Sequence, residues 1–169
     1  MFRSFRFSIF AIAVSITSAA FALVAFEGAS ARQTLPREVA ITFDDLPIAG
    51  AAAKVAAAYV PYMQAKVEFF ERNSRELFDR EMRQILLVHA NMLNADRFDE
   101  LASMFERRGY RFITLERALE DPAFASSDTF VGSSGITWIH RWALTRKMPK
   151  SFYAGEPEVP GFVAEMAKP

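Results

Sequence analysis

The chain has 169 residues, no cysteine and 51% apolar residues, with 20 basic against 20 acidic side chains. This apolar fraction excludes disorder by composition, and the lack of cysteine excludes a disulfide-stabilised fold. Nucleic acid or an acidic membrane surface would call for a basic excess, which the balanced charge does not provide. We therefore expect a folded domain that has no nucleic-acid partner.

The first 31 residues have the pattern of a secretory signal peptide. Two arginines precede an apolar run over residues 7–26, and Ala29-Ser30-Ala31 fits a small-x-small cleavage site. An uncleaved membrane anchor is the alternative, because about 20 apolar residues can span a bilayer. The cleavage site favours export, so we expect residues 32–169 to form one periplasmic or extracellular domain without membrane attachment.

Strand and helix patterns alternate through the first two thirds of this domain. Period-2 alternation and a continuous apolar run predict strands, and apolar residues three or four apart predict helices. A proline is expected to kink or restart the first helix. The predicted elements are strand 38–43, helix 51–80 with Pro61, strand 84–89, a helix capped by Asn94 or Asp96 and ending at Arg108, strand 110–114 and helix 115–120.

This order predicts an α/β fold, with a parallel sheet of about three strands and helices packed on it. Glycines and prolines punctuate the chain from Ala123 onward, where only residues 136–145 look helical. We expect this tail to wrap the domain as loops with one helix.

Chemically capable residues follow two of the predicted strands. Asp44 and Asp45 end the first strand and His89 ends the second. Functional groups gather at the carboxyl ends of strands in parallel α/β folds. Adjacent strand residues point to opposite faces, so one aspartate could take a proton while the other holds a metal. The alternatives are that the aspartates cap the next helix and that His89 is structural.

Three other features have simpler interpretations. Trp138 and Trp142 could stack on a sugar ring, but a spacing of four residues also fits core packing. His140 has no carboxylate at metal-ligand spacing, so we interpret it as structural. Residues 132–135 lack the Gly-x-Ser-x-Gly spacing of a serine hydrolase.

Four segments resemble the polysaccharide deacetylases with a NodB-homology domain. Residues 39–45 (VAITFDD) resemble their first motif, and residues 85–91 (ILLVHAN) resemble their last catalytic motif. Residues 108–112 (RGYRF) and 135–138 (GITW) are similar to the C-terminal part of exported bacterial members. The resemblance implies a (β/α) barrel, here partial and unclosed, and metal-dependent removal of acetyl groups from amino sugars or other polysaccharides.

The resemblance also implies roles for the residues at the strand ends. Asp44 corresponds to the catalytic base, Asp45 to a ligand of a divalent metal, often zinc, and His89 to the general acid. In this scheme Asp44 takes a proton from the attacking water and His89 protonates the leaving amine or alkoxide. The metal supplies positive charge at the acetyl carbonyl.

The chain departs from the family in its central region. The family's second motif supplies two histidines four residues apart as metal ligands, whereas this chain contains only His89 and His140. Residues 46–88, 43 in all, replace several strands and helices of a barrel that needs about 200 residues. We infer a central deletion on the order of a hundred residues, which leaves metal binding doubtful and activity impaired.

A non-catalytic role is the alternative function. The chain would then be a secreted carbohydrate-binding or interaction domain derived from the enzyme. Its sugar contacts would come from aromatic side chains, namely Tyr59, Tyr62, Trp138 and Trp142. An unclosed sheet also has exposed strand edges, through which copies of the chain could self-associate.

Overall fold

The computed structural model describes residues 36–44, 53–133 and 135–166, and for Asp44 it describes the backbone. The signal peptide predicted over residues 1–31 lies outside these ranges, and so does Asp45. None of the helices in the described ranges is long and apolar enough to cross a membrane.

A sheet of three parallel strands forms the centre of the fold. The strands are β1 (Arg37–Asp44), β2 (Gln84–His89) and β3 (Tyr110–Phe112), in the order β2-β1-β3. The register pairs Val39 of β1 with Gln84 on one side and with Phe112 on the other. The predicted parallel α/β architecture is confirmed, and the sheet is open.

Helices follow each strand and continue into the tail. In the described part of the chain they are α1 (Ala53–Phe78), α2 (Met92–Arg107), α3 (Leu115–Leu119), α4 (Trp138–Thr145) and α5 (Gly161–Met166). Single 3-10 turns span Pro122–Ala125 and Lys150–Tyr153. The tail is therefore more helical than predicted. The reason is that the tail packs against the rest of the domain, since Phe152 of the second 3-10 turn is buried in a core cluster.

Of the two predicted effects of Pro61, a restart of α1 was wrong. The helix is continuous through this residue, although proline removes one backbone hydrogen bond. Residues on both sides of the proline, among them Val60 and Met63, pack against the same core cluster. This burial holds the two flanking turns in one helix.

Two element boundaries also differ from the predictions, because side chains cap helices there. The α2 helix begins earlier than expected, since Asn91 rather than Asn94 or Asp96 is its N-cap and accepts from the Asn94 N–H at 2.9 Å. The third strand ends at Phe112, since Thr114 caps α3 by accepting from the Arg117 N–H. In each case a side-chain oxygen satisfies an amide of the first helical turn.

Two hydrophobic clusters share α1. The sheet cluster lies between β1, α1 and α2, and its buried members are Val39, Leu101, Met104, Phe105 and Tyr110. The C-terminal cluster lies between the end of α1, α4 and the 3-10 turns, and its buried members are Leu77, Met82, Ala123, Ile139, Trp142, Ala143 and Phe152. Because α1 contributes to both clusters, it ties the tail to the sheet.

Buried carboxylates lie at the amino ends of the strands. Glu38, near the start of β1, accepts from Arg83 Nε at 2.8 Å, from Arg111 Nη2 at 3.1 Å and from Arg117 Nη2 at 3.4 Å. The side chains of Glu38 and Ala40 lie on the same face of the sheet, because alternate residues of a strand point the same way. Arg117, which contacts Glu38, belongs to α3, so α3 lies on this face.

A second buried carboxylate, Glu71 of α1, contacts residues at the same end of the sheet. It accepts from Arg108 Nη2 at 2.6 Å, from Arg37 Nη1 at 3.3 Å and from the Tyr110 hydroxyl at 3.1 Å. Burial and the neighbouring Glu71 carboxylate raise the pKa of Tyr110 far above its usual range, so its hydroxyl stays a donor. The Glu71 carboxylate and the guanidinium groups of Arg37 and Arg108 pair with one another, which indicates a structural role for this end of the sheet.

Asp121 should make stability depend on acid pH. Burial alone would raise its pKa, but hydrogen bonds from Arg80 and from the Ala123 and Arg83 amides outweigh burial and lower the pKa. A carboxyl whose folded pKa is lowered stabilises the fold above its unfolded pKa, and this contribution is lost as pH falls. We expect the free energy of unfolding to decrease below about pH 4.

Denaturant titrations at several pH values between 3 and 6 would measure this effect. The variant Asp121→Asn should lose less stability on acidification than the original chain, because it lacks the titrating group. An identical pH dependence in the two chains would contradict the assignment.

Candidate functional site

The carboxyl ends of β1 and β2 lie side by side. Asp44 is the last residue of β1, His89 is the last residue of β2, and the parallel register pairs the two directly. Neighbouring strands in a sheet are about 4.8 Å apart. The backbone therefore brings these two residues together at one edge of the sheet. Asp45, the third residue predicted for this site, lies outside the described ranges.

The turn after β2 is held by the start of α2. The His89 carbonyl accepts from Asn94 Nδ2 at 2.6 Å and from the Asn91 N–H at 2.9 Å. The His89 residue itself is exposed, while Asn94 is buried. Two hydrogen bonds therefore fix the backbone of an exposed residue at the end of β2.

Tyr59 extends this support to α1. Its hydroxyl donates to Oδ1 of Asn94, whose amide nitrogen donates to the His89 carbonyl. Burial raises the pKa of Tyr59, which keeps the hydroxyl protonated as a donor. From the sequence, Asn94 was predicted only as a possible helix cap. The signal for its position is the Asn-x-x-Asn spacing of residues 91 and 94, in which the first asparagine caps the helix that carries the second.

The donor set at the strand ends does not fit the zinc site of the deacetylase family. The chain has two histidines, and His140 packs against Phe69, Phe70 and Tyr153 in a different part of the domain. With Asp44 and His89 as base and acid, Asp45 is the single ligand, whereas catalytic zinc takes about three protein ligands. Among the described residues, no three metal-binding side chains converge. We therefore assign no step to a metal.

The four aromatic residues predicted for sugar contacts separate into two groups. Trp142 is 1% exposed and packs in the C-terminal cluster, and Tyr59 is engaged with Asn94. The core interpretation of Trp142 is thus supported. Trp138 is 51% exposed, and Tyr62 lines a pocket. Trp142 therefore has almost no surface to offer a ligand, whereas Trp138 and Tyr62 do.

That pocket has a volume of about 470 Å³ and lies between α1 and the segment 153–159. Lys66 Nζ and Glu156 Oε1, which are 2.7 Å apart, connect its two sides. It is lined by Tyr62, Lys66, Tyr153, Gly155, Glu156, Pro157, Glu158 and Val159. The volume falls in the range of about 300–1,000 Å³ that is typical of small-molecule sites.

His140 lies next to this pocket through its neighbours. Its ring packs against Tyr153, and its Nε2 atom is 3.9 Å from Oε2 of Glu156. Burial lowers the pKa of His140 and Lys66 lowers it further, while Glu156 raises it. The net shift is downward, so the imidazole is neutral at pH 7. This packing agrees with the structural role predicted for His140.

Comparisons of the chain with protein-family models, with curated proteins and with solved structures found no match. The interpretation of the site therefore depends on its geometry and on the sequence motifs.

Proposed function

We propose that this chain is an exported polysaccharide deacetylase-like hydrolase whose activity on acetylated carbohydrates is impaired. The observation that carries the proposal is the direct pairing of Asp44 with His89 in the parallel register. A base and an acid on neighbouring strand ends can act on the two sides of one scissile bond. The open sheet of three parallel strands is compatible with part of a (β/α) barrel.

The proposed chemistry uses the residues of this chain only. Asp44 takes the proton of the attacking water, and His89 protonates the leaving amine or alkoxide. Asn94, with Tyr59 behind it, positions the His89 backbone. The scheme contains no group that polarises the acetyl carbonyl, because Asp45 by itself does not form a metal site. This is the reason why turnover on amide or unactivated ester substrates should be very low.

Two substrates separate the acid–base pair from the missing metal site. On an activated aryl acetate, which needs little help in expelling its leaving group, we expect slow hydrolysis that Asp44→Asn lowers about a hundredfold. A matched control is Asp79→Asn, at an exposed residue with φ 55° where asparagine is tolerated. On acetylated chito-oligosaccharides with added zinc, we expect no acetate release.

Either half of this result could fail by itself. Equal aryl acetate rates in the original chain and in Asp44→Asn would remove Asp44 as the base. Acetate release from chito-oligosaccharides that Asp44→Asn abolishes would show that the activity is intact rather than impaired.

A second candidate function is carbohydrate binding without catalysis. It is favoured by the pocket of about 470 Å³ beside Tyr62, one turn along α1 from Tyr59. With Trp142 buried, the aromatic contacts predicted for this function reduce to Tyr62 and Trp138.

A further inference from the structure

Two polar atoms near the pocket between α1 and the segment 153–159 have no hydrogen-bond partner among the described residues, one on Tyr153 in its lining and one on His140 outside it. The Tyr153 hydroxyl is buried and has no hydrogen-bond partner within the part of the chain that the structure describes. The same is true of His140 Nε2, which lies 3.9 Å from Glu156. A buried polar atom without a partner costs free energy, and a ligand that supplies the partner recovers it.

The charge of the pocket wall selects against anions. Its one cation, Lys66, is already paired with Glu156 at 2.7 Å, and Glu158 adds a second carboxylate. An anionic ligand would therefore meet a net negative wall. Carboxylate oxygens accept hydrogen bonds from hydroxyl or amino groups of a ligand instead.

The rest of the lining includes one aromatic and two apolar residues. The Tyr62 ring, Pro157 and Val159 offer carbon surface, and Tyr62 carries a polar hydroxyl at its tip. A sugar ring has the matching surface, since its C–H face packs on an aromatic ring while hydroxyl groups project from its edge.

We propose that this pocket binds a neutral or amine-bearing saccharide ring. The ring packs against Tyr62, a sugar oxygen accepts from the Tyr153 hydroxyl, and sugar hydroxyl or amino groups donate to Glu156. This site deepens the second candidate function, on which it rests, and it does not require hydrolysis at the ends of β1 and β2.

Titration calorimetry on the purified full chain tests the ligand class. The probes are N,N′-diacetylchitobiose, glucosamine and glucuronic acid, which present similar rings with neutral, cationic and anionic groups. We expect the first two to bind and glucuronate to bind at least about tenfold more weakly, because of the carboxylates in the wall.

Two substitutions test the location. Tyr153→Phe removes one oxygen atom and should weaken the binding of N,N′-diacetylchitobiose about five- to tenfold, which is the value of one hydrogen bond. Its thermal stability should stay level or rise, because the deleted hydroxyl is buried without a partner. Tyr62→Ala provides a second variant on the other wall. Glu76→Gln is the control for Tyr62→Ala, because Glu76 is exposed on the same helix and does not line the pocket.

The outcomes distinguish the site from the function. Weaker sugar binding by both tyrosine variants, with unchanged circular dichroism and no effect of Glu76→Gln, supports the proposal. Sugar binding that both tyrosine variants retain overturns this site but leaves carbohydrate binding as a function. Absence of binding by both neutral and amine-bearing sugars overturns the site and the second candidate function together.

Discussion

Replacement of Glu71 by glutamine is expected to lower the free energy of unfolding by about 3 kcal/mol. The Glu71 side chain is 3% exposed, and its two oxygens accept from Arg108, Arg37 and Tyr110. A neutral amide would remove the most buried counter-charge of Arg108 and Arg37, which would keep only their more exposed partners Glu68 and Glu81. The hydrogen bond to Glu71 is also the main cause of the raised pKa of Arg108.

Glu68 offers a matched control on the same arginine. Its Oε1 atom is 2.7 Å from Arg108 Nη1, but its side chain is 50% exposed. Water and salt screen such a pair, so Glu68→Gln should cost about 0.5 kcal/mol. Denaturant unfolding of the two variants measures the difference. Equal losses would mean that burial does not determine the contribution of these ion pairs.

The proposed function gives the two ends of the sheet different roles. Buried ion pairs around Glu38 and Glu71 occupy the amino ends of the strands, while Asp44 and His89 end β1 and β2 at the opposite edge. Substitutions at the first end should change stability, and substitutions at the second end should change chemistry. Parallel α/β folds commonly divide stability and function between their two ends in this way.

Local sequence patterns predict the strands but not their arrangement. The β-branched run before Asp44 and the apolar run before His89 give β1 and β2 because period and residue type act locally. The pairing of Asp44 with His89 depends on strand order, which tertiary packing determines. The local pattern also could not identify the N-cap of α2, because Asn91, Asn94 and Asp96 are all good capping residues. The tight turn after β2 selects the first of them.

The pocket and the ion pairs could not be predicted for a related reason. Lys66 and Glu156 lie 90 residues apart in the chain, and Arg111 and Glu38 lie 73 apart. Charges and aromatic residues at these separations have no periodic relation to one another. A charged residue on a helix, such as Glu71, therefore resembles a solvated side chain until the packing is known.

Trp142→Ala is expected to cost about 4 kcal/mol in free energy of unfolding. The indole is 1% exposed and packs edge-to-face against Phe78 and Phe124, with ring centroids 5.5 Å apart in both pairs. Alanine would leave a large cavity between α1, α4 and the 3-10 turn at Pro122–Ala125. Thermal or denaturant unfolding followed by circular dichroism measures this loss.

Trp138 is the matched control, because it stacks on the same indole at 5.8 Å but is half exposed. Trp138→Ala should cost at most about 1 kcal/mol, since water already covers much of the ring. If Trp142 were a sugar contact, its loss would reduce glycan binding and leave stability unchanged. The buried indole predicts the opposite result, in which Trp142→Ala lowers stability strongly and Trp138→Ala does so only slightly. Similar stability of the two variants would show that the C-terminal cluster does not hold the tail on α1.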